Sequence, residues 1–244
     1  MRFGFTSVTF RNKSAKEICE IALLNGIKFI EWGADVHAKS ASDAAEIRAL
    51  CDGYGIKTVS LGSYFRVGDD DILPFERDCE SAEILGAKKI RVWLGRESSI
   101  STSAETRAKL ISQTRTLADI AEKHGLVLAF EFHKKTYNDS AEKCLEFISD
   151  VGKPNVKTYW QPFSFGNDES ELALILPELC EVHMFSWDEN NVRFPLDAKE
   201  REWRIFLDTI SDKSQIDFIL EFVKDDDDAQ FARDVQTAKK LLGI

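Results

Sequence analysis

Two rhythms of apolar and polar residues take turns along this chain. A short run rich in Val, Ile, Phe or Trp gives way to a polar stretch. A segment with apolar residues every three or four positions follows, and it ends near a glycine. Eight such units can be counted. The short runs are Arg2–Thr6, Lys28–Trp32, Lys57–Leu61, Lys89–Leu94, Val127–Phe132, Val156–Gln161, Glu181–Phe185 and Phe218–Phe222. Their length and β-branched or aromatic content predict buried parallel strands. The periodic segments are Ser14–Asn25, Ser42–Asp52, Pro74–Leu85, Ala104–Lys123, Ser140–Asp150, Glu169–Leu176, Lys199–Ile210 and Asp228–Leu242. Each predicts a helix that buries one stripe, as Ile18, Ile21 and Ala22 do in the first.

The punctuation agrees. Ser14 with Glu17 three residues on reads as a capping box, and Pro74 opens a helix. Gly26-Ile27-Lys28, Gly55-Ile56-Lys57, Gly86-Ala87-Lys88 and Gly125-Leu126-Val127 are near-equivalent junctions. Each sets a helix C-cap glycine just before a strand. Eight strands in strict alternation with helices predict a single (βα)8 TIM barrel over residues 1–244. An open doubly wound sheet is the alternative. No G-x-G-x-x-G follows the first strand, so dinucleotide binding has no support.

Composition changes this picture little. The 244 residues are 43% hydrophobic and 30% charged, an ordinary globular balance. A net charge of −10 disfavours nucleic acid as a partner. Five cysteines occur with no C-x-x-C pair, as expected of a reduced chain. No secretory leader is evident, and no apolar run approaches the ~18 residues that span a bilayer. The expectation is a cytoplasmic protein without a membrane partner, for which a homo-oligomer stays open.

The chemistry should sit at the carboxyl ends of the strands, where barrels of this kind place their active sites. The ionisable or amide residues there are Glu31, Glu131, Gln161, His183 and Glu221. Alternation puts Glu131 on the face of Val127 and Ala129, and Glu221 on the face of Ile219. Phe130, Phe132, Leu220 and Phe222 are then expected to face the helices. Two carboxylates inside a barrel are costly unless paired. A bound cation would relieve both at once; ion pairs with strand lysines or arginines would do so separately. His183 lies on an intervening strand.

Glu131, Gln161, His183 and Glu221 end the fifth to eighth strands, and in this the chain resembles the xylose isomerase-like sugar isomerases and epimerases. The resemblance implies a divalent metal (Mn, Mg, Co or Zn) held by those four residues. It also implies an open-chain sugar as substrate. The metal would polarise a carbonyl while Glu131 and Glu221 move a proton at the neighbouring carbon. Gln161 stands where that family commonly has Asp. Ser164 and Glu189 stand where it commonly carries His and Arg. Substrate contacts are expected from His37, Tyr64, Arg66, Trp93, His133 and Trp187. Arg66, Arg96, Lys134 and Lys135 are candidates for a phosphate. A dehydratase of a keto-inositol would share the enolate step. A multi-zinc endonuclease is disfavoured by only four histidines, and a non-catalytic sugar-binding barrel is the remaining alternative.

Overall fold

In the computed structural model, which describes residues 1–163 and 168–244, eight parallel strands close on themselves. They are β1 (Arg2–Thr6), β2 (Phe29–Gly33), β3 (Lys57–Val67), β4 (Lys89–Leu94), β5 (Val127–Phe130), β6 (Val156–Trp160), β7 (Leu179–Met184) and β8 (Asp217–Leu220). Closure comes from β1 lying parallel to β8, with Arg2 opposite Asp217 and Phe5 opposite Leu220. Eight helices form the outer ring: α1 (Ala15–Leu24), α2 (Ala41–Tyr54), α3 (Leu73–Leu85), α4 (Ala104–Lys123), α5 (Ala141–Val151), α6 (Asp168–Ile175), α7 (Glu200–Thr209) and α8 (Asp228–Leu242). Ser164, the position of the missing histidine, lies outside the described residues. Among the described residues, no helix is long and apolar enough to cross a membrane.

The local signals act as read. Ser14 and Glu17 form the reciprocal capping box of α1. The four junction glycines all take left-handed backbone, with φ of 62°, 68°, 75° and 66° at Gly26, Gly55, Gly86 and Gly125. That conformation is nearly free for glycine alone. At the last helix Asp227 caps α8 by accepting the Gln230 N–H at 2.7 Å.

The apolar core is a sleeve between strands and helices. Ile30, Trp32, Val92, Leu128, Phe130, Val182 and Phe218 turn outward into it and are fully or nearly fully buried. Phe5 meets Phe231 of α8, and Phe130 meets Phe147 of α5. The inward faces carry a different set, including Thr58, Ser60, Gly62, Lys89, Arg91, Tyr159, Glu181, His183 and Asp217. Where branched apolar residues commonly fill a barrel of this type, this one is packed with charge. Gly4 marks the closest approach, because a Cβ there would stand 2.3 Å from the Phe29 carbonyl oxygen. Backbone cannot give way cheaply, so Gly4→Ala should destabilise by about 1–3 kcal/mol. Its thermal midpoint should fall by about 2–4 °C per kcal/mol. An unchanged midpoint would show that β1 and β2 are not so tightly apposed.

Two departures from the expected elements shape the site. The third strand was expected to stop at Leu61 but runs to Val67. Gly62 pairs with Arg91 and Arg66 with Trp93, so four residues of β3 advance against two of β4. Extra residues of this sort re-aim side chains beside active sites. The second departure is Phe222, which does not face the helices as alternation required. Its φ is 50°, and its ring lies 5.0 Å from Trp187. A bulky residue in left-handed backbone is an outlier that the surroundings must enforce. It follows directly on Glu221.

Candidate active site

β5, β6 and β8 end one residue before Glu131, Gln161 and Glu221, yet the pairing does not stop abruptly. The Glu131 N–H donates to the Val92 carbonyl at 3.0 Å, and that of Glu221 to Met184 at 2.9 Å. Both carboxylates are thus tied to the barrel wall by their own backbone. Glu131 is 4% exposed, Glu221 3%, Gln161 7% and His183 fully buried.

The four residues come together as two pairs. Glu131 is gripped from β4: Arg91 Nη1 donates to its Oε2 at 2.5 Å, and Trp93 Nε1 donates to the same oxygen. Its Oε1 is approached by Gln161 Nε2 at 3.5 Å. On the other side, His183 Nδ1 lies 3.2 Å from Glu221 Oε2. The His183 Nε2 points to Glu31 at 3.5 Å and Glu181 at 3.4 Å. Neither ring nitrogen makes a well-formed hydrogen bond, and Glu31 Oε1 is equally without a partner. Glu31, Glu181 and His183 offer ligand atoms that all lie within 4.8 Å of one another.

Below this lies a second charged tier. Ser60 Oγ donates to Glu31 Oε2 at 3.0 Å. Lys89 Nζ lies 2.5 Å from both Glu181 and Asp217. Asp217 is in turn held by the fork of Arg2, whose Nε and Nη2 each lie 2.6 Å from one of its oxygens. A chain of ionic contacts therefore runs from His183 through the barrel to Arg2 at the opposite end.

The electrostatics follow from this crowding. Burial favours a neutral Glu31, but Arg91 and His183 hold its carboxyl well below the usual range. Burial raises Glu181, and Glu31 adds to the rise while Lys89 opposes it. Burial also opposes the charge on His183, yet Glu221 and Glu31 keep its imidazolium favoured well above the ordinary value. Among the described residues, five buried carboxylates lie within the barrel (Glu31, Glu131, Glu181, Asp217 and Glu221), against two buried cations, Lys89 and Arg91, and the part-exposed Arg2 that closes the lower end. Two negative charges remain. A protonated His183 covers one of them; a dication on a neutral imidazole covers both.

Arg91 has unused capacity. It is 3% exposed, and its Nε and Nη2 have no hydrogen-bond partner. Each such buried donor costs about 1–3 kcal/mol when left unmet.

The expected substrate residues divide. Tyr64, Arg66, Trp93 and His133 form one cluster at the mouth. Trp93 stacks on His133 at 4.9 Å, the Arg66 guanidinium lies 3.8 Å above Trp93, and Tyr64 is 5.9 Å from it. Trp187 is on the β7–β8 side, between Phe185 and Phe222. His37 is not with them. Its Nε2 donates to the Lys13 carbonyl and its Nδ1 accepts from Ser7, both at 2.9 Å, so the ring ties two loops together. Burial lowers its pKa, in keeping with that neutral role. Of the phosphate candidates, Arg96 pairs with exposed Asp69 and Lys134 donates to the Phe163 carbonyl. They do not converge.

Sequence reasoning passed over Arg91, Glu181 and Lys89, and it noted Glu31 without using it. The signal was present as spacing. Lys89, Arg91 and Trp93 alternate on one face of β4, and Glu181 shares a face with His183.

The family description "xylose isomerase-like TIM barrel" matches residues 19–230. Solved structures share the fold at low identity. The probable 3-DHS dehydratase of petrobactin synthesis from Bacillus anthracis superposes with a TM-score of 0.79 at 15% identity, over 98% of this chain and 99% of that one. D-psicose 3-epimerase from Clostridium cellulolyticum H10 gives 0.75 at 16%, over 98% and 97%. The 3-keto-D-glucoside 4-epimerase of E. coli gives 0.76 at 16%, over the full length of both chains. A search of curated protein sequences finds no match.

Proposed function

Because the chain belongs to the xylose isomerase-like TIM-barrel family, we propose that it is an isomerase or epimerase of a small keto- or aldo-sugar, acting through an enediolate at the barrel mouth. One observation carries the reading: two buried carboxylates, Glu131 and Glu221, follow directly on β5 and β8 and flank an interior with unmet donors. The epimerases among the structural relatives are consistent with it.

Glu131 is the base. Arg91 and Trp93 immobilise its Oε2, which leaves Oε1 to take the proton from carbon next to the substrate carbonyl. The C–H electron pair moves into the carbonyl, which becomes the oxyanion. Return of that proton to the former carbonyl carbon, with the neighbouring hydroxyl proton passing to the oxyanion, gives an isomer; protonation of the original carbon from the other face by a Glu221 that has taken up a proton gives an epimer, and Glu131 then releases its own proton to solvent. Trp93, Tyr64 and Trp187 offer aromatic faces to the sugar C–H surface, and His133 and Arg66 offer polar contacts.

Members of this family commonly bind a divalent metal, and the residues here fit one. The unpartnered Glu31 oxygen, the imidazole without good hydrogen bonds and the charge deficit of two all favour a dication. Glu31, Glu181 and His183 offer ligand atoms close enough together to hold it, while of the rim set Glu131, Gln161, His183 and Glu221 the Oε2 of Glu131 is already taken by Arg91 and Trp93. When bound it would supply positive charge that stabilises a developing oxyanion. The oxygen and imidazole donors suit Mn, Mg, Co or Zn.

The test is solvent deuterium exchange. Incubation with a panel of aldoses and ketoses plus Mn in D2O should label one carbon of one substrate. No label in any sugar would end this reading, and loss of water from a keto-inositol would reassign the chain to a dehydratase.

A further inference from the structure

Backbone strain in this chain is gathered at one side of the mouth. Among the described residues, five that are not glycine have a positive φ, and four of these lie in two loops: Asn191 after β7, and Phe222, Asp225 and Asp226 after β8. Such conformations persist only where the surroundings enforce them.

Arg193 touches both loops. The β7 loop is a hairpin, with Trp187 bridged to Arg193 and the Phe194 N–H donating to the Ser186 carbonyl at 2.8 Å. Asp188 braces its tip by accepting from the Asn190 and Val192 N–H groups, both at 2.9 Å. From this frame the Arg193 guanidinium reaches across. Its Nη1 lies 2.6 Å from Asp226 Oδ1 and 3.4 Å from the Val223 carbonyl oxygen. Its central carbon stands 4.8 Å from the centre of the Phe222 ring and 5.6 Å from that of Trp187. Phe222 is also held from the loop after β1, since its N–H donates to Thr9 Oγ1 at 3.3 Å. Glu221 comes just before it, with its carboxylate 3.2 Å from His183. The buried carboxylate is thus followed at once by a strained turn that Arg193 clasps.

We propose that Arg193 is a positioning residue: by clasping the β7 hairpin to the turn after β8 it holds Phe222 in left-handed backbone and fixes the place of Glu221. Without the clasp Phe222 is free to return to the extended backbone that a bulky side chain favours, and Glu221 moves with it. The inference rests on the epimer route above, in which Glu221 transfers the second proton, and adds the side chain that sets that group in place.

Arg193→Met keeps much of the side-chain length and removes the charged, planar head. Arg193 is part-exposed, so the fold should survive. A crystal structure of the variant should show residue 222 out of the left-handed region and Glu221 displaced by about 1 Å or more, a shift that can cost a positioned group about a hundredfold in rate. On the sugar found by deuterium exchange, kcat for the epimer should fall at least about tenfold with KM held within about twofold. Exchange at the labelled carbon needs only Glu131 and should stay within about twofold of wild type, which a general loss of structure would not allow. Adding Phe222→Gly should restore much of the epimer rate, because glycine takes the left-handed turn unaided. An unmoved Glu221 in Arg193→Met, or exchange and epimer formation falling together, overturns the proposal. Should no sugar be labelled, or the labelled sugar be isomerised only, the role of Glu221 as proton donor fails, and the crystal structure still decides whether Arg193 sets its place.

Discussion

Glu131→Gln is expected to abolish nearly all turnover, with kcat lowered by at least about a hundredfold, the usual weight of a positioned general base. The substitution is a sharp probe because so little else changes. An amide oxygen can still accept from Arg91 and Trp93, so the geometry at Oε2 is largely preserved. What disappears is the ability of the other position, the one beside Gln161, to take a proton. Steady-state rates on the sugar found by deuterium exchange would be measured with the thermal transition as a control for folding. Activity above about a tenth of wild type, in a folded variant, would rule Glu131 out as the base.

Lys89→Met should produce the largest loss of stability. Lys89 is 4% exposed and lies 2.5 Å from Glu181 and from Asp217. Removing it leaves Glu181, which is fully buried, without its one permanent cation, and breaking a buried pair in this way costs about 3–5 kcal/mol. In a chain of this size that corresponds to a midpoint roughly 10 °C lower. Asp217 keeps Arg2 and suffers less. The double variant Lys89→Met with Glu181→Leu should therefore regain a good part of the loss, since no buried carboxylate is then stranded. A fall of under about 2 °C for the single variant would show that solvent reaches the lower tier. That result would also weaken the charge balance on which the cation fit depends.

The two predictions probe different tiers of one interior, and the tiers were not equally legible beforehand. Glu131 and Glu221 could be picked out because a charged residue within an apolar run is conspicuous, and alternation gives its face. Lys89 and Glu181 were harder to see because each stands first in the apolar run that the sequence marks as a strand, where polar residues are ordinary. Arg91 sat in plain alternation between Lys89 and Trp93. Its importance came from a neighbour: only once β4 and β5 are paired does Glu131 come within its reach. His37 shows the converse error. It follows the second strand, as a substrate residue would, but Ser7 and the Lys13 carbonyl from another loop claim both of its nitrogens.

The amino-acid order alone determined the eightfold alternation, the helix caps, the glycine junctions and the inward direction of the key carboxylates. All of these depend on contacts within a few residues or on the period of a strand. The tertiary structure decided which charges meet. Glu131 faces a guanidinium from β4, His183 lies among carboxylates from β2, β7 and β8, and Phe222 turns away from its expected face. Such pairings depend on how strands register around a closed circle. Glu131 and Arg91 are 40 positions apart, His183 and Glu221 38, and His183 and Glu31 152, separations that no local pattern encodes.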